Sequence, residues 1–237
     1  MSTTDAVASA LLPLWREMLE SGTALPSEAV LADTIGASRP AVREALIRME
    51  EDGLVLRRHG SGTYPNPAAH EVPTRLDQAV DFADRLAAVG YTSRVEVLGA
   101  EVITVEPDHT PRLAATEPIR LLRTVKRWWA DDRVAVVAVD LVPLLAPTTA
   151  DEAVANAAEA VVVLAEIVGR GRPDWMFTWP DAALLDDETA VHLQREPGEA
   201  VLRTEHLGVD RHGRRVFHAV EHHCPGIVEY GLIRTIG

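Results

Sequence analysis

Arg39 and Arg43 stand four residues apart, a spacing that places both on one flank of a helix. An arginine fork meets guanine O6 and N7 in a two-pronged contact that discriminates against a wrong base by roughly 1–3 kcal/mol. Ser38, Pro40 and Ala41 belong to the same helix start, where a reading helix brings its residues closest to base edges. Downstream, Arg57, Arg58, His59, Gly60, Ser61 and Gly62 form a basic reversal whose glycines carry no side chain to hold it away from a nucleic-acid backbone. These residues point to recognition of double-stranded DNA. The bland alternative for any one arginine is that it solvates the outer face of an amphipathic helix.

A second group, His206, His218, Glu221, His222 and His223, has the donor types of a zinc or nickel site. On a strand, however, His218 and His222 share a face but lie about 13 Å apart, too far to chelate one ion. No metal site is expected. Cys224 is the only cysteine, which excludes an internal disulfide and a cysteine-based zinc site of the usual spacing. As a nucleophile it would need a base and an orienting group, and neither is recognisable beside it. The chain also lacks a phosphate-binding glycine loop, a His-Glu-x-x-His segment and a Gly-x-Ser-x-Gly elbow. No catalytic residues and no cofactor are therefore expected.

The elements that must position the arginines follow from hydrophobic periodicity. Leu11, Leu14, Trp15, Met18 and Leu19 recur at helical spacing up to Ser21-Gly22. A second helix starts after Ser27 as N-cap, buries Val30, Leu31 and Ile35, and stops at Gly36. Ser38 caps a third, with Val42, Ala45, Leu46 and Met49 on one face, ending at Asp52-Gly53. Leu54-Val55-Leu56 and Thr63-Tyr64 flank the glycine reversal as a hairpin. The whole reads as a winged helix-turn-helix over residues 1–65.

The proline-bearing stretch Asn66 to Pro73 lacks apolar periodicity, and residues 66–75 are expected to be a linker. In residues 76–237 a helix is expected at Leu76–Val89 and a helix or loop at Pro107–Thr116. Strands are expected at Arg94–Val105, Ile119–Trp129, Val134–Val142, Val201–Asp210 and Arg215–His222, with helical patterns at Ala150–Val168 and Asp186–Gln194. The fold class is thus α+β, with an antiparallel sheet in the C-terminal domain. The formal charge of -13 is unusual for a nucleic-acid binder, so the acid is expected to sit elsewhere and non-specific affinity to be modest. Without a run of about 18 uncharged apolar residues or a signal-peptide layout, no membrane association and a cytoplasmic location are expected.

Leu25-Pro26-Ser27-Glu28, Leu31-Ala32, Gly36-Ala37-Ser38-Arg39, Val42-Arg43-Glu44-Ala45-Leu46, Leu54 and Gly60-Ser61-Gly62-Thr63-Tyr64 resemble the DNA-binding domain of GntR-family regulators. The resemblance implies DNA contacts from Ser27, Ser38, Arg39, Pro40, Ala41, Arg43, Arg58, His59, Gly60, Ser61 and Gly62. The family commonly has an arginine after the Pro-Ser-Glu turn, where this chain has Ala29. Residues 119–143 and the hairpin about Asp210–Gly213 resemble the UTRA effector-binding domain of the HutC subfamily. That implies a chorismate-lyase-like fold without lyase activity, a small-molecule effector and a homodimer. It also implies a repressor on an inverted-repeat operator, nucleoid-associated when bound, with half-sites roughly 34 Å apart. Candidate effector residues are Arg94, Arg123, Lys126, Trp128, Asp140, Glu221 and Tyr230. Members that bind sugar phosphates tend to carry Arg-x-Arg and a glutamate where this chain has Lys126, Trp128 and Ala138. A lysine does not restore an arginine fork, so a less anionic, more apolar ligand is expected. The alternative is an enzyme or metal-binding protein built on the C-terminal chorismate-lyase-like domain.

Overall fold

The computed structural model describes residues 3–58, 60–72, 74–76, 78, 80–234 and 236. The chain divides into two units, one of Met1–Gln78 with Tyr230–Gly237, the other of Ala79–Glu229.

In the first unit, α1 (Thr3–Ser21) buries Val7, Leu11 and Trp15, which recur every four residues and so form one stripe. It packs on α2 (Glu28–Ile35) and α3 (Arg39–Glu51). The Ser27 and Ser38 side chains accept from the amides of Val30 and Ala41, satisfying donors that a helix start leaves orphaned. Gly36 ends α2 with φ of 68°, a conformation that costs an L side chain strain. The wing pairs β1 (Val55–Arg58) with β2 (Gly62–Pro65), Arg58 opposite Gly62. The Trp15 indole donates to the Leu54 carbonyl at 2.6 Å, tying the first helix to the root of the wing.

The segment expected as a linker holds built structure. Asn66 caps α4 (Pro67–His70), and β3 (Thr74–Arg75) runs parallel to β10 (Tyr230–Gly231). Arg75 is buried and donates to the Asp52 carbonyl. Ile233 packs against the helical core. Thr74 and Arg75 find their strand partner more than 150 positions away, which no local pattern reveals. Pro73 lies outside the described residues.

The second unit is a six-stranded antiparallel sheet ordered β4 (Ser93–Val105), β5 (Ile119–Ala130), β6 (Arg133–Pro143), β9 (Arg215–His223), β8 (Ala200–Val209), β7 (Trp175–Leu184). The helix expected at Leu76–Val89 is the shorter α5 (Phe82–Ala88), started by the Asp81 cap, with Asp77 and Ala79 outside the described residues. Pro107–His109 and Pro111–Leu113 are 3-10 turns. The run 150–168 is two helices, α6 (Ala150–Ala155) and α7 (Val161–Ile167), and α8 spans Asp187–Leu193. The edge strand β7 was not expected, because its exposed aromatic and proline residues lack an inward apolar alternation.

Directly paired antiparallel residues share a face. One face therefore carries Leu122, Thr124, Lys126 and Trp128 of β5, with Val142, Asp140 and Ala138 of β6. It continues through Ala219, Glu221 and His223 of β9 into Thr204 and His206 of β8. Leu164, Ala165 and Val168 pack on its apolar end with Leu122, Val142 and Phe217. On the opposite face Leu113 packs with Leu121 and Leu207, and Arg112 pairs with Glu205 at 2.9 Å.

Two predictions follow from this sheet. A Cβ on Gly208 would collide with the ring of Phe217 across the strand pair. Gly208→Ala should lower unfolding free energy by about 1–3 kcal/mol, measured by urea denaturation. The Arg112 guanidinium, with His218 beside it, holds the Glu205 carboxyl down at about 2 from its ordinary 4.5. That stabilisation is complete above about pH 4.5 and lost as the pH falls toward 2. Glu205→Gln should flatten the acid limb of the stability–pH curve over that window.

Candidate nucleic-acid interface and effector site

The inward face of α3 is Val42, Ala45, Leu46 and Met49, all buried. This fixes the helix rotation so that Arg39, Pro40, Arg43, Glu44 and Ile47 face outward and line one concave patch. Ile47 is 40% exposed, an apolar group of the kind that meets a thymine methyl. Arg43 does not stand free: Glu28, at the start of α2, takes its Nε and Nη2 hydrogens, the closest contact being 2.7 Å. Ser27 and Ser38 are engaged as caps through their side-chain oxygens. Ala41 is half-buried below them.

In the wing, Arg57 pairs with Glu50 at 3.1 Å, while the Arg58 guanidinium sits 4.6 Å from the centroid of the Tyr64 ring. Gly60 and Gly62 adopt φ of 72° and 119°, and Ser61 lies between them, exposed. His59 lies outside the described residues. The first 78 residues still hold more Asp and Glu than Lys and Arg, so the acid sits elsewhere only in part, although the larger share of the negative excess does lie in residues 79–237. Arg43 and Arg57 each carry a carboxylate partner, which leaves little bulk positive field for non-specific attraction.

In the second unit the shared sheet face holds a connected polar cluster. Lys126 is fully buried, its Nζ 2.8 Å from Asp140 and also donating to the Glu159 carbonyl. The Thr124 hydroxyl donates to Asp140 at 3.0 Å. Trp128 lies 5.5 Å from the Lys126 ammonium and tilts against Phe82 of α5, which also meets His223. His206 and His223 both approach Glu221 at 3.3 Å, and the Thr204 hydroxyl lies 2.9 Å from each imidazole. Burial pushes the Glu221 carboxyl up, but hydrogen bonds from the two histidines outweigh it, leaving its pKa well below the carboxylate range.

Of the sequence-derived effector residues, the structure gathers Lys126, Trp128, Asp140 and Glu221 on this face. Arg94 stacks on Trp129 and Arg123 pairs with Glu101 on the opposite face. Tyr230 lies in β10 of the first unit. The sequence reading overlooked Thr124, Thr204 and Phe82, and it grouped the histidines by chain spacing. The strand register instead pairs Glu221 with Thr204 and seats His206 and His223 around them. Among the described residues no group of three or more His, Cys, Asp and Glu is arranged to hold a metal ion. Burial pushes the Cys224 thiol up, which makes it a poor nucleophile near neutrality. No helix among the described residues is long and apolar enough to cross a membrane.

Comparison with known proteins places these features. Residues 5–64 match the family described as bacterial regulatory proteins, gntR family. The fatty acid metabolism regulator protein of Haemophilus influenzae (strain 86-028NP) is 43% identical over 53 residues, 22% of either chain. The histidine utilization repressor of Pseudomonas aeruginosa is 36% identical over 80 residues, 33% of this chain and 31% of its own. The chain thus covers less than a third of the length of these relatives. Over almost the full length the fold is that of the possible transcriptional regulator YydK from Bacillus subtilis, with TM-score 0.71, 13% identity and coverage of 99% and 100% of the two chains. PhnF from Mycobacterium smegmatis aligns with TM-score 0.57 and 14% identity over 90% of this chain and 92% of its own.

Removing one partner of the buried ion pair leaves the other charge uncompensated. Lys126→Met should cost about 3–5 kcal/mol, and Lys126→Met with Asp140→Leu should recover much of that loss. Equilibrium unfolding of both variants checks this, and additive losses would show that the two groups act independently.

Proposed function

We propose that this chain is a ligand-responsive, DNA-binding transcriptional regulator of the GntR type, HutC subfamily, with a UTRA effector domain of chorismate-lyase-like fold and no enzymatic role. The observation that carries this is the Ser38-capped α3, presenting Arg39 and Arg43 beside a glycine-tipped wing, within the segment that matches the gntR family. Relatives that match part of the chain are named as a regulator and a repressor. Repression by a cytoplasmic homodimer on an inverted-repeat operator, with release by the effector, is the mode this reading takes.

Base reading falls to Arg39 and Arg43, with Ser27, Ser38, Pro40 and Ala41 shaping the approach. Arg58, His59, Gly60, Ser61 and Gly62 of the wing contact the adjacent backbone or minor groove. The effector contacts the polar sheet face, through Lys126, Trp128, Asp140 and Glu221. Because the Lys126 charge is already matched by Asp140, and Arg123 belongs to the other face, this surface offers a phosphate no arginine fork. A less anionic, more apolar ligand than a sugar phosphate suits it, held by the Trp128 ring and a few directed hydrogen bonds.

The test is a gel shift on duplexes enriched from a random library by the full chain, at several salt concentrations. Arg39→Ala should weaken the enriched duplex about 5- to 150-fold and leave random duplex within about twofold. Equal weakening on both, with a flatter salt slope, would assign Arg39 to phosphate instead. For the effector, a set of sugar phosphates and a set of uncharged aromatic and amide-bearing metabolites are titrated into the bound complex. Release at micromolar sugar phosphate would overturn the ligand class.

A further inference from the structure

Glu28 and Arg43 are fifteen positions apart, yet the helix-turn-helix brings the first residue of α2 against the second turn of α3. Arg43 Nε donates to both carboxylate oxygens, at 3.1 and 3.0 Å, and Nη2 donates to Oε2 at 2.7 Å. A guanidinium has two edges that can each make a two-pronged contact, a side edge of Nε with one Nη and an end edge of the two Nη groups. The carboxylate occupies the side edge. The end edge is left, on a side chain that remains 65% exposed within the patch shared with Arg39 and Ile47. The hydrogen bond from Arg43 also lowers the Glu28 pKa, so the carboxylate stays charged across the neutral range.

We propose that Glu28 is a positioning residue for base reading: it braces Arg43 so that the end edge of the guanidinium is presented to one guanine of each half-site. The brace also acts on affinity in the opposite sense. A fixed negative charge at the DNA-facing surface weakens sequence-independent attraction to phosphates. One side chain therefore raises discrimination and lowers background binding. This rests on the DNA-binding reading above and adds to it a residue that touches no base.

The experiment uses the full chain, a duplex enriched from a random library by the wild type, single substitutions at each guanine of that duplex, and a random duplex. Glu28→Gln should lose about tenfold discrimination at one guanine per half-site while binding the random duplex about threefold more tightly. Glu28→Asp keeps the charge but shortens the reach, and should lose the same discrimination without the gain on random duplex. Arg43→Ala should lose discrimination at that same guanine, and adding Glu28→Gln to it should cost nothing further there. A purely structural tie between α2 and α3 would instead lower the melting temperature and weaken binding evenly across positions. That result, or full discrimination retained by Glu28→Gln, overturns the proposal. A wild-type chain that enriches no duplex overturns the DNA-binding reading itself, and the brace with it.

Discussion

The burial of one face of α3 sets everything the N-terminal unit can present. Val42, Ala45, Leu46 and Met49 are packed away from water, each large side chain contributing about 1.5–3 kcal/mol. A helix advances about 100° per residue, so fixing that stripe fixes every other direction on the helix. Arg39, Arg43 and Ile47 point outward because those four point inward. The serine caps, the left-handed Gly36 and the Trp15 bond to Leu54 hold the same arrangement from its ends. A change that rolled α3 on its core would move the whole reading surface together.

This part of the fold was legible in the sequence because its signals are local. Caps, a helix-ending glycine and a 3.6-residue stripe all act within a few positions, and the three N-terminal helices stand where they indicate, although α2 buries Leu31 and Ala32 and leaves Val30, expected inside, 51% exposed. The C-terminal unit was legible as a class but not as a site. Strand alternation alone would have separated Lys126 and Trp128 from Arg123, since odd and even positions face opposite ways. The meeting of His206, His223 and Glu221 was different: it depends on the β8–β9 register, which no spacing along one strand discloses. The pairing of Glu28 with Arg43 was likewise hidden, because it needs the angle between two helices and not just their boundaries.

The acidity of the chain acquires a local meaning in this light. The N-terminal unit is itself acid-rich, and Glu28 and Glu50 are committed to arginines of the reading helix and the wing. Such pairs are weak as stabilisers at an exposed surface. On the reading proposed above, their effect is to hold arginine side chains in place and to damp the long-range pull of a polyanion. On that reading, recognition depends on geometry more than on net charge.

The short parallel pairing of β3 with β10 has a consequence for how the molecule is made. Residues 79–229 enter and leave through two neighbouring strands, so in chain topology they are an insertion within the first unit. As the chain emerges from the ribosome, the three helices and the wing can assemble early. Their last strand, and Ile233 on the core, arrive only after the entire six-stranded sheet has been synthesised. Completion of the nascent winged unit is thereby reached only once the domain inserted before its last strand has been made.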